Sequence, residues 1–320
     1  MITTRFTERF GLQAPIASAP MAFAAGGQLA AAVGAAGGLG LIGGGYGDPA
    51  FLENAFRTAG NTAVGCGFIT WRLAENRALL TAALSHQPRA MMLSFGDPAP
   101  YCDEIAAAGV PLICQVQTMA HVDDAMAAGA DVIVAQGSEA GGHGATRATM
   151  TLVPEVCDAV GESTIVLAAG GIADGRGLAA ALALGADGVL MGSRFWAARE
   201  ALTHPRHQAA AVDATGDATI RQRATDIARG YDWPAPFTAR VLNNAFVQRW
   251  EGRAAEHCAV AEADRPAYAE ALARGDPQEA GVFVGEATGL IADVASAADI
   301  IERTTAEAER IMKRSSALLI

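Results

Sequence analysis

The chain has 320 residues, 51% of them hydrophobic and 18% charged, with a formal net charge of −11 and Lys313 as its only lysine. That composition excludes disorder, collagen and coiled coil, and the acidic balance serves solubility rather than nucleic-acid binding, which needs clustered Lys and Arg. The missing lysines also exclude a P-loop and a Schiff-base lysine on the fold core.

The first residues, "MITTRFTERFG" (1–11), are polar and lack the apolar core of a signal peptide. No apolar run reaches the roughly 18 residues that span a bilayer. The expected compartment is the cytoplasm, with no membrane partner. Five cysteines (Cys66, Cys102, Cys114, Cys157, Cys258) form no CxxC pair, which fits reduced, mostly buried thiols. No second His, Asp or Cys is placed beside His143, in the glycine-rich stretch 135–149, for a metal site, so no metal is expected.

Eight apolar runs follow in order: "PIASAPM" (15–21), "GLGLIGG" (38–44), "AVGCGFI" (63–69), "AMMLSF" (90–95), "VPLICQV" (110–116), "DVIVAQ" (131–136), "TIVLAAG" (164–170) and "GVLMGS" (188–193). They lack polar alternation, as strands buried on both faces should. Ala-rich helical stretches separate them. "AAGG" (35–38), "AAGV" (107–110), "AAGA" (127–130) and "ALGA" (183–186) each place a glycine where a helix C-cap wants positive φ. This is an internal βα repeat. Eight such units predict an α/β fold, a closed (β/α)8 TIM barrel; a doubly wound open sheet also alternates but usually has fewer strands.

After Phe195 no strand-like run repeats as far as about residue 285. "WPAPF" (233–237) reads as a turn, and "ARVLNNAFVQRWEG" (239–252) as an amphipathic helix with Val241, Ala245 and Trp250 on or near one face. The expected division is a barrel from 1–198 and 290–320, with 199–289 a helical subdomain or lid. The stretch 297–315 reads as a long helix packing back on the barrel through Ile300, Ile301, Ile311 and Met312.

Active sites of such barrels lie at the C-terminal strand ends. "AAGGIADGRG" (168–177) and "LMGSRFW" (190–196) end the seventh and eighth strands with Gly170, Gly171, Gly192 and Ser193. Exposed N–H groups on two adjacent loops would converge on one phosphate, although the glycines alone could simply make tight turns. "AQGSEAGGHGATRAT" (135–149) ends the sixth strand. Its His143 is either a backbone-bonded loop residue or a general base, since imidazole titrates near neutrality. Glu139 either orients the loop or is solvated. No GxSxG elbow or Ser-His-Asp set is evident.

The segments "APMAF" (19–23), "AQGSEAGGHGA" (135–145), "AAGGIADGRGLAAALALGADGVLMGSRF" (168–195) and "GEATGLIADV" (285–294) resemble the nitronate monooxygenase family, formerly 2-nitropropane dioxygenase, over nearly the whole chain. The resemblance implies an FMN-dependent barrel enzyme that oxidises alkyl nitronates with O2 to a carbonyl compound and nitrite. His143 matches the base that takes the α-proton of neutral nitroalkanes. Pro20, Met21 and Ala22 match the segment along the flavin, and Gln115 the position facing its N1/C2 edge. Gly141 matches a position beside the ring, and Gln136 is a further cofactor-binding candidate. Ala169, Gly170, Gly171, Gly192 and Ser193 match the phosphate and ribityl contacts.

Two positions depart from the family pattern. Gly67 stands where relatives often carry a flavin-contacting Asn, and Ser193 where many carry Thr. Phe68, Trp71, Tyr46 and Phe95 are candidates for an apolar substrate wall, with core packing the open alternative for each. The implied partners are a small nitronate or nitroalkane and O2, and a homodimer is common among such barrels. The same motifs are shared by NAD(P)H-dependent quinone and enoyl reductases on flavin barrels, which is the alternative reading.

Overall fold

A computed structural model describes residues 2–318. Its strands, in chain order, are β1 (Ile16–Ser18), β2 (Leu41–Gly45), β3 (Gly65–Ile69), β4 (Met91–Ser94), β5 (Leu112–Val116), β6 (Val132–Gln136), β7 (Gly142–Gly144), β8 (Ile165–Ala169), β9 (Gly188–Met191), β10 (Thr219–Gln222) and β11 (Thr238–Leu242). Eight of them form one parallel sheet in the order β1-β9-β8-β6-β5-β4-β3-β2. Ala17 bridges Leu39 in parallel, with Ser18 N–H donating to Leu39 O at 3.0 Å and Leu39 N–H to Ile16 O at 2.9 Å. That contact joins the two edges, so the sheet is a closed barrel. Each of the eight expected strands is present.

The strands read as unbroken apolar runs because both faces are buried; Gln115 is the one partly exposed residue among them. One cluster, including Ala17, Leu41, Met92, Ile113, Val134 and Leu167, fills the barrel interior with Phe6, Phe10 and Leu12. The polar start of the chain is therefore a structural plug. Thr4 and Thr7 form a capping box for the helix Arg5–Phe10, which inserts its two phenylalanines into that cluster. Burying a phenylalanine is worth about 1.5–3 kcal/mol.

Helix starts follow the sequence closely. Asp48 accepts from the Ala50 and Phe51 N–H groups ahead of Pro49, and Asp174 accepts from those of Arg176 and Gly177. The final helix, Ala297–Ser316, starts on a Ser296–Asp299 capping box and buries Ile300 and Ile301, with Ile311 and Met312 packed against the same core. It lies so close to the helix Gly175–Ala183 that a Cβ on Gly175 would fall 2.4 Å from the Ala308 nitrogen.

The stretch between the barrel and the final helix is not all helical. β10, β11 and β7 form an antiparallel sheet in the order β10-β11-β7. The 239–252 segment, expected to be one helix, splits into β11 and a short helix, Ala245–Trp250. Asn244 makes the break: its side chain caps the helix by accepting from Val247 N–H and donates to the Pro277 and Ala280 carbonyls. "TARVL" alternates half-buried and buried residues, the period of a strand.

Among the described residues, no helix is long and apolar enough to cross a membrane, and no cluster of His, Cys, Asp or Glu is placed to hold a metal. The five cysteines are free, but only Cys66 and Cys114 are buried, fewer than expected; Cys258 is exposed. Burial pushes the Cys66 and Cys114 thiols up to about 12.

Candidate active site

A cavity of about 480 Å3 opens at the C-terminal ends of the barrel strands, within the usual range for small-ligand sites. Its walls include Pro20, Met21 and Ala22 after β1, Gln115 on β5, Gln136 on β6, Gly141 to His143, and Ser193. The sequence placed all of these at the site. Tyr46, Phe68 and Phe95 also line it. Trp71 does not: it packs edge-on against Trp233 with centroids 5.4 Å apart.

His143 is held on every side but one. Its Nε2 lies 2.9 Å from Asp226 Oδ2, and the other carboxylate oxygen accepts from Arg229 Nη2 at 2.7 Å. The indole of Trp233 stacks on its ring, centroids 3.4 Å apart and planes 7° from parallel. Phe95 meets it edge-on. Its carbonyl accepts from Gln136 Nε2 at 3.0 Å. Among the described hydrogen bonds Nδ1 has no partner, and His143 lines the cavity. Burial lowers the imidazole below its usual 6.5, while the bond and the charge of Asp226 pull the other way and Arg229 and Arg221 add to the lowering. Burial therefore favours the neutral ring. Because the carboxylate can only accept, Nε2 carries the proton and Nδ1 a free lone pair.

The small sheet explains this placement. His143 lies on β7, opposite Ala239 of β11. Asp226 comes from the helix Ala224–Arg229, which follows β10. Arg221 donates to the Ser138 and Ala140 carbonyls at 3.1 and 3.3 Å, and Arg240 to Ser138 at 3.0 Å. Two arginines from the inserted segment thus grip the loop that carries His143. Glu139 orients the loop from within, accepting from the Thr149 N–H and hydroxyl at 2.9–3.0 Å. Asp226, Arg229, Trp233, Arg221 and Arg240 were not singled out in the sequence, since no local motif marks them.

Gln136 does not extend freely toward a ligand. Its carbonyl accepts from Gln115 and Gln117 at 3.2 and 2.9 Å while its amide holds His143. Gly67 lies behind the wall: a Cβ there would fall 2.4 Å from Pro20 Cγ, so it seats Pro20 rather than facing the cavity. Ala169 is buried at the end of β8 and leads into Gly170 and Gly171, both at positive φ (102° and 72°). Among the described hydrogen bonds the N–H groups of Gly170, Gly171, Gly192 and Ser193 find no acceptor. These donors would suit a phosphate. The Ser193 hydroxyl accepts from Gly285 N–H at 2.9 Å, tying the "GEATG" segment to the same place.

Residues 69–307 match the sequence model of the family described as nitronate monooxygenase. The chain belongs to that family. It is 36% identical to the nitronate monooxygenase npaC of Metarhizium robertsii over 93% of this chain and 91% of that protein. In structure it is similar to FabK from Thermotoga maritima, with a TM-score of 0.88, 31% identity and all of both chains covered. It is also similar to a nitroalkane oxidase from Streptomyces ansochromogenes, with a TM-score of 0.81 and 27% identity over 95% of this chain and 98% of that one. The chain is an oxidoreductase of the nitronate monooxygenase kind, and its chemistry is the oxidation of nitronates.

Proposed function

We propose that this enzyme uses FMN and O2 to convert alkyl nitronates to a carbonyl compound and nitrite, and that His143 lets it accept neutral nitroalkanes as well. The observation that carries this reading is the His143–Asp226 pair at the cavity wall. A neutral imidazole with its outer nitrogen fixed by a carboxylate is set to accept a proton, not to give one.

The residues present fit FMN. Gly170, Gly171, Gly192 and Ser193 would offer the phosphate backbone donors that have no acceptor among the described hydrogen bonds, with Ala169 beside them. Pro20, Met21, Ala22 and Gly141 line the cavity where the ring would lie, and Gln115 would offer an amide to its edge. Gln136 contributes by holding Gln115 and His143, and Gly67 by seating Pro20. Bound FMN would supply the electron acceptor for the nitronate and the electron donor for O2.

The chain's own part is proton handling and exclusion of water. Nδ1 of His143 takes the α-proton of the nitroalkane, leaving the nitronate. The imidazolium so formed is stabilised through Nε2–H by Asp226, which Arg229 holds in place. Stacking on Trp233 fixes the ring plane. A positioned base contributes about 3–5 kcal/mol to such a step. Tyr46, Phe68, Phe95 and Trp233 keep the site apolar.

The test is His143→Asn. Turnover of neutral nitroethane should fall about 100-fold or more, with turnover of preformed ethyl nitronate little changed. Equal losses on both substrates would reduce His143 to a binding or structural residue.

A further inference from the structure

Arg229 brings a fixed positive charge to the cavity wall. Among the described residues it is the one permanently charged side chain that lines the cavity, and no carboxylate lines it. Two of its nitrogens are engaged. Nη2 donates to Asp226 Oδ1 at 2.7 Å, and Nε to the Thr225 carbonyl at 3.1 Å. Nη1 has no acceptor among the described hydrogen bonds, yet it is not one of the unpartnered nitrogens sealed from solvent. The side chain keeps 14% of its surface open, and it lines the cavity. Nη1 is therefore the donor left for a ligand.

The surroundings fix this charge. The guanidinium carbon lies 4.6 Å from the Phe283 ring centroid, 5.1 Å from that of Tyr231 and 5.6 Å from that of Tyr46. Rings rather than water flank it, and a charge less screened by water acts more strongly. Tyr46 and Phe283 line the cavity as well. Asp226, whose side chain is buried, does not. It stands behind, with Oδ2 on His143 Nε2 and Oδ1 on Arg229 Nη2. The two oxygens of one carboxylate thus set the imidazole and the guanidinium side by side, and both residues line the cavity. A nitronate carries its negative charge on two coplanar nitro oxygens, the kind of acceptor that a guanidinium N–H binds strongly.

We propose that Arg229 is the substrate anchor: its Nη1–H donates to a nitro oxygen of the bound nitronate, so the cavity selects a planar anion over neutral molecules of the same shape. This rests on the nitronate-oxidising reading of the same cavity. The same contact holds the charge that appears on the nitro group when His143 takes the α-proton of a neutral nitroalkane. Arg229 then does more than hold Asp226, because it touches the reacting group.

Removing Arg229 alone would leave Asp226 as a buried, unpaired carboxylate, so the test is made in the Asp226→Asn background of the flavin-loaded enzyme. Adding Arg229→Gln should raise the KM for propyl nitronate about tenfold or more. Adding Arg229→Lys instead, which keeps the charge, should avoid part of that rise. An Arg229 that only positions Asp226 has nothing left to position in this background, so an unchanged KM would overturn the proposal. A binding measurement independent of turnover compares nitrate, a planar anion, with urea, a neutral molecule of the same shape. Binding is followed through the flavin spectrum at constant ionic strength. Nitrate should bind the unaltered enzyme several-fold tighter than urea and lose that advantage with Arg229→Gln. Equal binding of the two to the unaltered enzyme would overturn the proposal. So would a loss of FMN affinity with nitrate binding unchanged, which would assign the charge to the flavin. Nitrate binding that depends on Arg229, without turnover of any nitronate, would uphold the anion site and sink the nitronate reading instead.

Discussion

Asp226 lies 83 residues downstream of His143, yet its Oδ2 sits 2.9 Å from the imidazole Nε2. That contact decides which nitrogen is free to act. Asn at position 226 can turn an N–H toward Nε2 and so favour the tautomer with its proton on Nδ1. Asp226→Asn should therefore lower turnover of neutral nitroalkanes about 100-fold, with flavin content and nitronate turnover largely retained. Unchanged nitroalkane turnover would separate Asp226 from the base. Burial also lowers His143 below 6.5, so the fall in rate on neutral nitroalkane as pH drops should be centred below 6.5. Asp226→Ala removes groups that raise the pKa, and should move that drop to still lower pH.

Three buried histidines contribute to the acid response of the fold, beside the half-buried His121, which burial also lowers. His143, His207 and His257 are each lowered, burial being the largest cause in every case. Below pH 6.5 the unfolded chain binds protons that the folded chain refuses, so stability falls as pH drops through 6.5 toward the folded values. His257 is the cleanest probe. It is fully buried, stacks on Trp250 with centroids 4.2 Å apart, and has no partner for either ring nitrogen. His257→Phe should flatten the fall of the urea midpoint between pH 7.5 and 5.5 (flanking values chosen about one unit either side of the usual imidazole range). An unchanged slope would show that His257 does not contribute.

The phosphate cradle can be tested without straining the backbone. Gly192 is not at positive φ, and a Cβ there meets nothing nearer than Ala19 Cβ at 3.7 Å. Gly192→Asp should leave the fold intact and place a carboxylate where the phosphate is expected. FMN affinity should drop about 100-fold or more, the size of a like-charge contact away from water, while riboflavin, which lacks the phosphate, should lose far less. Equal weakening of both would place the phosphate elsewhere.

The barrel was legible because a strand buried on both faces leaves a continuous apolar run, as in "DVIVA" and "TIVLA". The rim residues were legible because βα order assigns them to one end. The small sheet was not. "TIRQ" and "TARVL" are short, half-buried strands with arginines that read as helix surface, and "GHG" has no strand signature at all. Their pairing is decided by tertiary contacts: Arg221 and Arg240 reach the Ser138 carbonyl, and His143 falls opposite Ala239. Asp226, and with it the protonation state of His143, became visible only once that pairing was known. Gly67 could not be assigned for a related reason, since a bare backbone position can seat a neighbouring proline as readily as a ligand.

Nitronates, rather than NAD(P)H, are the electron donors this cavity is proposed to serve. Anaerobic stopped-flow mixing of the flavin-loaded enzyme with propyl nitronate, and separately with NADH, reads it directly. The flavin absorbance near its visible maximum should bleach rapidly with propyl nitronate and not with NADH. Rapid bleaching by NADH, with none from propyl nitronate, would contradict it.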